Sequence, residues 1–295
     1  MTRRDCRLRQ DVQGVANQMR LDPTTIRMIF FFGLFTFFAA GEALYPRRIR
    51  TVSKKKRWGH NLIITAGNAA LVTVLMPLAP AGVAVVAANA GWGVLNVLVF
   101  PFWITVVSAV ISLDFVIYLQ HLFLHRVPVL WRLHAIHHTE LDLDVSSGLR
   151  FHPLEIILSL FIKSAAVIII GAPVVAVVIF EIILNGTAMF NHSNLDIPEN
   201  MDRFIRLFIV TPDMHRVHHS VIIREMDSNF GFNFSWWDRI LRTYRAQPRM
   251  GHRGMPLGLG RFRDFSIMTL QWLLVVPFNA GIERTTIPFG GGRND

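Results

Sequence analysis

Ten of the twelve histidines fall between residues 121 and 219. "QHLFLHRVPVLWRLHAIHHTE" places His121 and His125 one helical turn apart, and then His134, His137 and His138. "TPDMHRVHHS" repeats the second spacing with His215, His218 and His219. Residues three and four apart share one side of a helix, so each cluster can aim its imidazoles at a common point. Eight clustered imidazoles exceed the four ligands of a single zinc ion, and two ions would use eight or nine. Imidazole suits iron, zinc, copper and nickel alike. His192 in "FNHSN" reads as a ninth ligand. His152 in "RFHPLE" reads as a ligand or as a support for one. Glu140, Asp142, Asp144, Glu155 and Asp213 are acids that could orient the rings through their outer N–H groups, and Asp114 is a further candidate. Lone His60 and His252 read as locally satisfied polar residues, and Trp236 and Trp237 as membrane-interface anchors.

What the motifs lack counts against several chemistries. No HExxH zinc-protease motif and no hydrolase G-x-S-x-G is present, although Ser146, Ser147 and Ser220 lie near the clusters. The Glu-x-x-His pairs of ferritin-like di-iron bundles are also absent.

The clusters must be carried by apolar helices. The 295 residues are 52% hydrophobic and 17% charged, below the roughly 25% charge of soluble domains. Apolar runs at Met28–Leu44, Asn61 to about Ala88, Phe102–Leu119 and Leu154 to about Phe190 predict an integral membrane protein. The first is just long enough to span, or inserts only in part. The last is long enough for two helices broken at Gly171–Pro173 and carries Lys163 and Glu181, charges that need partners or water inside a membrane. Pro77 and Pro80 predict a turn in the second run, and "GWGVLNVLVFPF" an interfacial segment. The run from Phe265 to Ala280 predicts an in-plane helix.

The reading is all-α: a bundle of about four transmembrane helices in two hairpins, capped by a cytoplasmic, histidine-rich helical region. A polar tail over 1–27 precedes one domain over 28–295, whose core spans about 102–245. Two hairpins return every histidine cluster to one membrane face. The net charge of +10 is not interleaved with a soluble fold. It is densest in "RRIRTVSKKKR", which reads as a cytoplasmic anchor against anionic lipid rather than a nucleic-acid site. The lone Cys6 can form no internal disulfide, and no signal-peptide pattern opens the chain.

Taken in order, "SLDFVIYLQH", "LWRLHAIHH", "RFHPLE", "FNHSNLDIP", "TPDMHRVHHS" and "WWDRI" resemble segments of the fatty acid hydroxylase/sterol desaturase superfamily, over Ser112 to Thr243. The resemblance implies two iron ions cycling between Fe2+ and Fe3+, O2 as co-substrate, and hydroxylation or desaturation of a lipid C–H bond. The implied ligands are His121, His125, His134, His137, His138, His215, His218 and His219, with His192 matching the additional histidine. With no electron-carrier domain recognised in the chain, it also implies a separate ferredoxin or cytochrome b5 type donor with its reductase. Leu122 replaces a frequent Arg, and Leu241-Arg242 a frequent Phe-Gly. A bacterial inner membrane fits the compact chain. The competing readings are a membrane metal-binding or metal-transport protein, a zinc-dependent lipid hydrolase and a bis-histidine haem protein.

Overall fold

The computed structural model describes residues 22–75, 80–98, 100–279 and 282, and every regular element among them is helical. Helix α1 (Pro23–Leu44) starts five residues before the apolar run. Asp22 caps it, its Oδ1 accepting from the amides of Thr24 (2.8 Å) and Thr25 (3.1 Å), and Pro23 needs no donor at the first position. Its 22 residues reach about 33 Å, enough to cross the hydrocarbon core. The polar tail expected over 1–27 lies outside the described residues up to position 21.

Helix α2 (Lys54–Leu75) leads away from the histidine end. Helices α3 (Pro80–Ala90) and α4 (Val94–Val97) lie at the far end, and α5 (Phe102–Arg126) returns. The turn expected at Pro77 falls outside the described residues, while Pro80 opens α3. Pro128 starts α6 (Pro128–His138) directly after α5. Helices α7 (Pro153–Ile170) and α8 (Val174–His192) break at the expected Gly-Ala-Pro. Short α9 (Glu199–Ile205) and α10 (Pro212–His218) follow, and α10 carries the last cluster. Where an in-plane helix was expected after Phe265, a short helix over Leu270–Val275 stands between two 3-10 turns.

Five stretches are long and apolar enough to cross a membrane: α1, the run Lys54–Val97, α5, α7 and α8. The last four are the two expected hairpins. Their parity has an anchor at the far end. Gly93 (φ 95°) packs so tightly on the backbone of Gly171 (φ 72°) that a Cβ at Gly93 would stand 2.2 Å from the Gly171 nitrogen. Helix α1 packs on α8 through Leu34 and turns Ile29, Phe32 and Phe37 outward, an apolar surface suited to lipid.

The histidine end is built on a buried loop. Residues 139–150 are all buried, and their polar groups are met largely from residues 42–61. Glu140 accepts from Arg57 Nε and Asn61 Nδ2, both at 2.9 Å, and Arg150 lies at 3.1 Å. Asp142 accepts from the amides of Thr51 and Val52, each at 2.7 Å. Asp144 accepts from Trp58 Nε1 at 3.1 Å. Arg47 bonds Asp196 (2.6 Å) and Asp213 (2.7 Å), and Arg50 bonds Glu42 at 2.9 Å. The basic segment is therefore only in part a surface anchor. Arg47 and Arg57 turn inward to acids distant in sequence, Arg48 donates to the carbonyls of His252 and Met255 and Arg50 turns back to Glu42, while Lys55 and Lys56 remain exposed.

Burial alone would raise the carboxyl of Glu140, yet Arg57 and Arg150 hold it down at about 2. Glu140→Gln should leave two buried guanidinium groups under-compensated and cost about 3–5 kcal/mol. Thermal denaturation in detergent should show a clear fall in Tm, with none for exposed Lys55→Gln.

Candidate metal centre

The two HxxHH clusters do not each form a site. The nine imidazoles separate into two groups whose candidate ligand atoms lie within 4.8 Å of one another. One group holds His121, His125, His134, His138 and His218, and the other His137, His192, His215 and His219. All nine are buried. Helix α6 sends its i, i+4 pair, His134 and His138, to the first group and His137 to the second. The α10 segment does the reverse, sending His215 and His219 to the second and His218 to the first. The groups are adjacent, since the rings of His138 and His219 stack at 4.5 Å between centroids.

Outer ring contacts assign the tautomers. His121 Nδ1–H donates to Phe230 O at 2.8 Å and His134 Nδ1–H to Glu155 Oε1 at 2.7 Å. Their Nε2 atoms then carry only lone pairs, yet stand 3.1 Å apart. The second group repeats this. His137 Nδ1–H donates to Arg150 O (3.2 Å) and His192 Nδ1–H to Ala188 O (2.8 Å), with their Nε2 atoms 2.9 Å apart. His218 Nδ1–H donates to Ser228 O at 2.8 Å, and its buried Nε2 has no hydrogen-bond partner. Converging lone pairs repel unless a cation lies between them. The donor set therefore fits two metal ions held by neutral imidazoles. Burial first, and then neighbouring imidazoles, push His137, His138, His215 and His219 well below the ordinary histidine range, and burial takes His218 to about 3. These five rings are thus neutral at physiological pH, as ligands must be.

The other candidates are placed differently. Glu155 holds His134. Asp114 touches no imidazole; its Oδ2 accepts from Trp237 Nε1 (2.8 Å) and Phe234 N (3.2 Å). Trp237 is accordingly an internal donor, and Trp236 donates to Leu207 O at 3.1 Å. Glu140, Asp142 and Asp144 organise the buried loop. Asp213 bonds Arg47 and Arg216 and faces His252 at 3.7 Å. His152 lies outside both groups. It caps α7, its Nδ1 accepting from Leu154 N (3.1 Å) and its Nε2–H donating to Leu274 O (3.2 Å).

Sequence reasoning missed two acids. Asp227 places Oδ1 3.5 Å from His125 Nδ1, and no spacing rule marks it. Asp238 of "WWDRI" accepts from the amides of Phe230 and Gly231, both at 2.8 Å. It thereby sets the loop whose carbonyls hold His121 and His218. The same turn explains a departure noted above: Arg242 sits at φ 59°, a left-handed position where glycine is cheaper. A cavity between α1, α2, α5, α7 and α8 reaches the centre, where His121, His134 and Glu155 line its wall.

Residues 106–243 match the family model described as fatty acid hydroxylase, in line with the resemblance carried by the motifs. Similar proteins include the ornithine lipid hydroxylase of Rhizobium tropici, 29% identical over 51% of this chain and 44% of that protein. Human alkylglycerol monooxygenase is 27% identical over 58% and 39%, and rat cholesterol 25-hydroxylase 24% identical over 48% and 47%. The chain thus spans less than half the length of these relatives. No solved structure matches it.

Interleaving predicts that His134→Ala and His137→Ala, three residues apart, each weaken a different ion. Metal analysis should show each variant keeping about one of two ions and the double variant none. The depressed histidines also make the metal-free protein pH-sensitive. Unfolded imidazoles bind protons below about 6.5 while the buried rings stay neutral, so stability is full above that pH. It should be lost progressively toward about 3, where His218 titrates; thermal melts across this range check the sign.

Proposed function

We propose, from the premise that residues 106–243 are a fatty acid hydroxylase domain, that this membrane protein is a di-iron oxygenase that hydroxylates or desaturates a lipid drawn from the bilayer. The observation that carries the reading is the pair of all-imidazole groups set at the mouth of a cavity between membrane-depth helices. By name, the similar proteins are lipid hydroxylases and a lipid monooxygenase.

The first ion would be held by His121, His125, His134, His138 and His218, the second by His137, His192, His215 and His219. Bound there, two iron ions would supply the power to oxidise an unactivated C–H bond with O2 and two electrons, chemistry that side chains alone lack. The protein's own part is orientation and exclusion of water. Glu155 and the carbonyls of Phe230, Ser228, Arg150 and Ala188 fix the rings. Phe151, Leu124 and Phe232 wall the cavity beside them. No side chain acts as covalent nucleophile.

Electrons come from a separate ferredoxin or cytochrome b5 type carrier with its reductase. The exposed Lys55 and Lys56 lie at the same end as the centre, which supports a cytoplasmic face by the positive-inside rule, and the membrane in this reading is a bacterial inner membrane.

Protein purified in mild detergent should hold two irons per chain and consume O2 when given reductant and extracted membrane lipid. His137→Ala should lose about one of the two irons and the uptake together. Stable zinc with lipid hydrolysis in the absence of reductant would replace this reading with a zinc hydrolase, and bound metal with no O2 uptake under any reductant would favour a metal-handling protein.

A further inference from the structure

The cavity below the centre is not a plain hydrocarbon slot. Glu155, Ser159 and Lys163 line it at i, i+4 and i+8 on α7, hence on one helix face and over two turns, about 12 Å. Asn68, Gln120 and Asn185 face the same space.

Two kinds of unmet polarity are present, and they are separated along the cavity. Toward the centre are buried acceptors. Glu155 Oε2, Gln120 Oε1 and Asn68 Oδ1 have no hydrogen-bond partner. Glu155 gives only its other oxygen to His134, and Asn68 spends its amide donor on Phe151 O at 2.9 Å. Two turns deeper is Lys163. Glu181 influences it electrostatically, but that carboxylate is already ion-paired with Arg27. Among the described residues no hydrogen bond or ion pair reaches Lys163. A lone cation inside a membrane bundle is costly and marks a ligand pathway. A wholly apolar ligand would leave the cation and all three acceptors unmet.

We propose that this cavity takes the polar part of an anion-bearing lipid, pairing its carboxylate or phosphate oxygen with Lys163 and turning its N–H or O–H donors toward Glu155, Gln120 and Asn68. The proposal rests on the lipid-oxidising reading above and names the substrate class. The carbon presented to the centre lies toward the donors, remote from the anion by about two helical turns. A sterol or a simple alkyl chain is a poor fit, because neither supplies the anion.

Binding without turnover separates this claim from the oxygenase reading. The full chain, as purified in a non-ionic detergent, is titrated under nitrogen without reductant. The probes are N-oleoylglycine, its methyl ester and 1-oleoyl lysophosphatidate. Wild type should bind one of the two anionic probes at least tenfold more tightly than the ester, and the tighter one identifies the source of the anion. Lys163→Met should bring the three probes within about twofold while leaving ester binding unchanged, and Lys163→Arg should keep the preference. An ester that binds wild type as tightly as both anions overturns the proposal even if a variant fails to fold. Retention of the preference in Lys163→Met overturns it as well. Neither result bears on iron content or O2 uptake, which test the parent reading.

Discussion

Imidazole lone pairs facing one another inside a protein are the constraint on which the rest depends. Pairs such as His121 with His134 and His137 with His192 hold Nε2 atoms about 3 Å apart while both outer nitrogens are committed as donors. Such an arrangement repels itself unless a cation is shared, and it forms only if the surrounding fold forces the rings together. The outer contacts apply that force. A carboxylate holds His134 and backbone carbonyls hold four other rings, so each outer contact fixes a tautomer and an angle together.

Three of those carbonyls, of Arg150, Ser228 and Phe230, lie outside α-helices, and irregular backbone at a buried site must have its polar groups met. The 139–150 loop meets this requirement with charge. Glu140, Asp142 and Asp144 are bound by arginines, amides and an indole from the 50–58 segment. The loop at 228–231 does so through Asp238, whose two oxygens take two successive amides. Asp238 and Trp237 belong to one short helix, and Trp237 in turn ties Asp114 of α5 to this end. The second group of partners is thus connected to the helix that delivers His121 and His125.

The same economy of pairing makes the cavity informative. Near the centre almost every buried charge has an opposite number within bonding distance. Lys163 and the open acceptors above it depart from that pattern, and they line a space that a ligand can enter. Unmet polarity in an otherwise matched interior describes the missing partner's chemistry.

Much was legible from residues alone. Histidine spacing revealed clusters of imidazoles on helices, and the apolar runs, with the break at Gly171–Pro173, revealed two hairpins that return the clusters to one end. Both rest on short-range periodicity and length, which a linear sequence carries directly. Composition likewise set the all-helical membrane class. What spacing could not reveal was which imidazole joins which group, because His137 and His138 are neighbours in sequence yet join different groups. Nor could it show that the basic 47–57 segment turns its arginines inward, that His152 caps a helix, or that Asp227 stands beside His125. Most of these depend on contacts between segments far apart in the chain or on the angle between two elements. Tertiary packing alone decides such contacts, since the partner is chosen by where the helices bring it and not by its place in the chain.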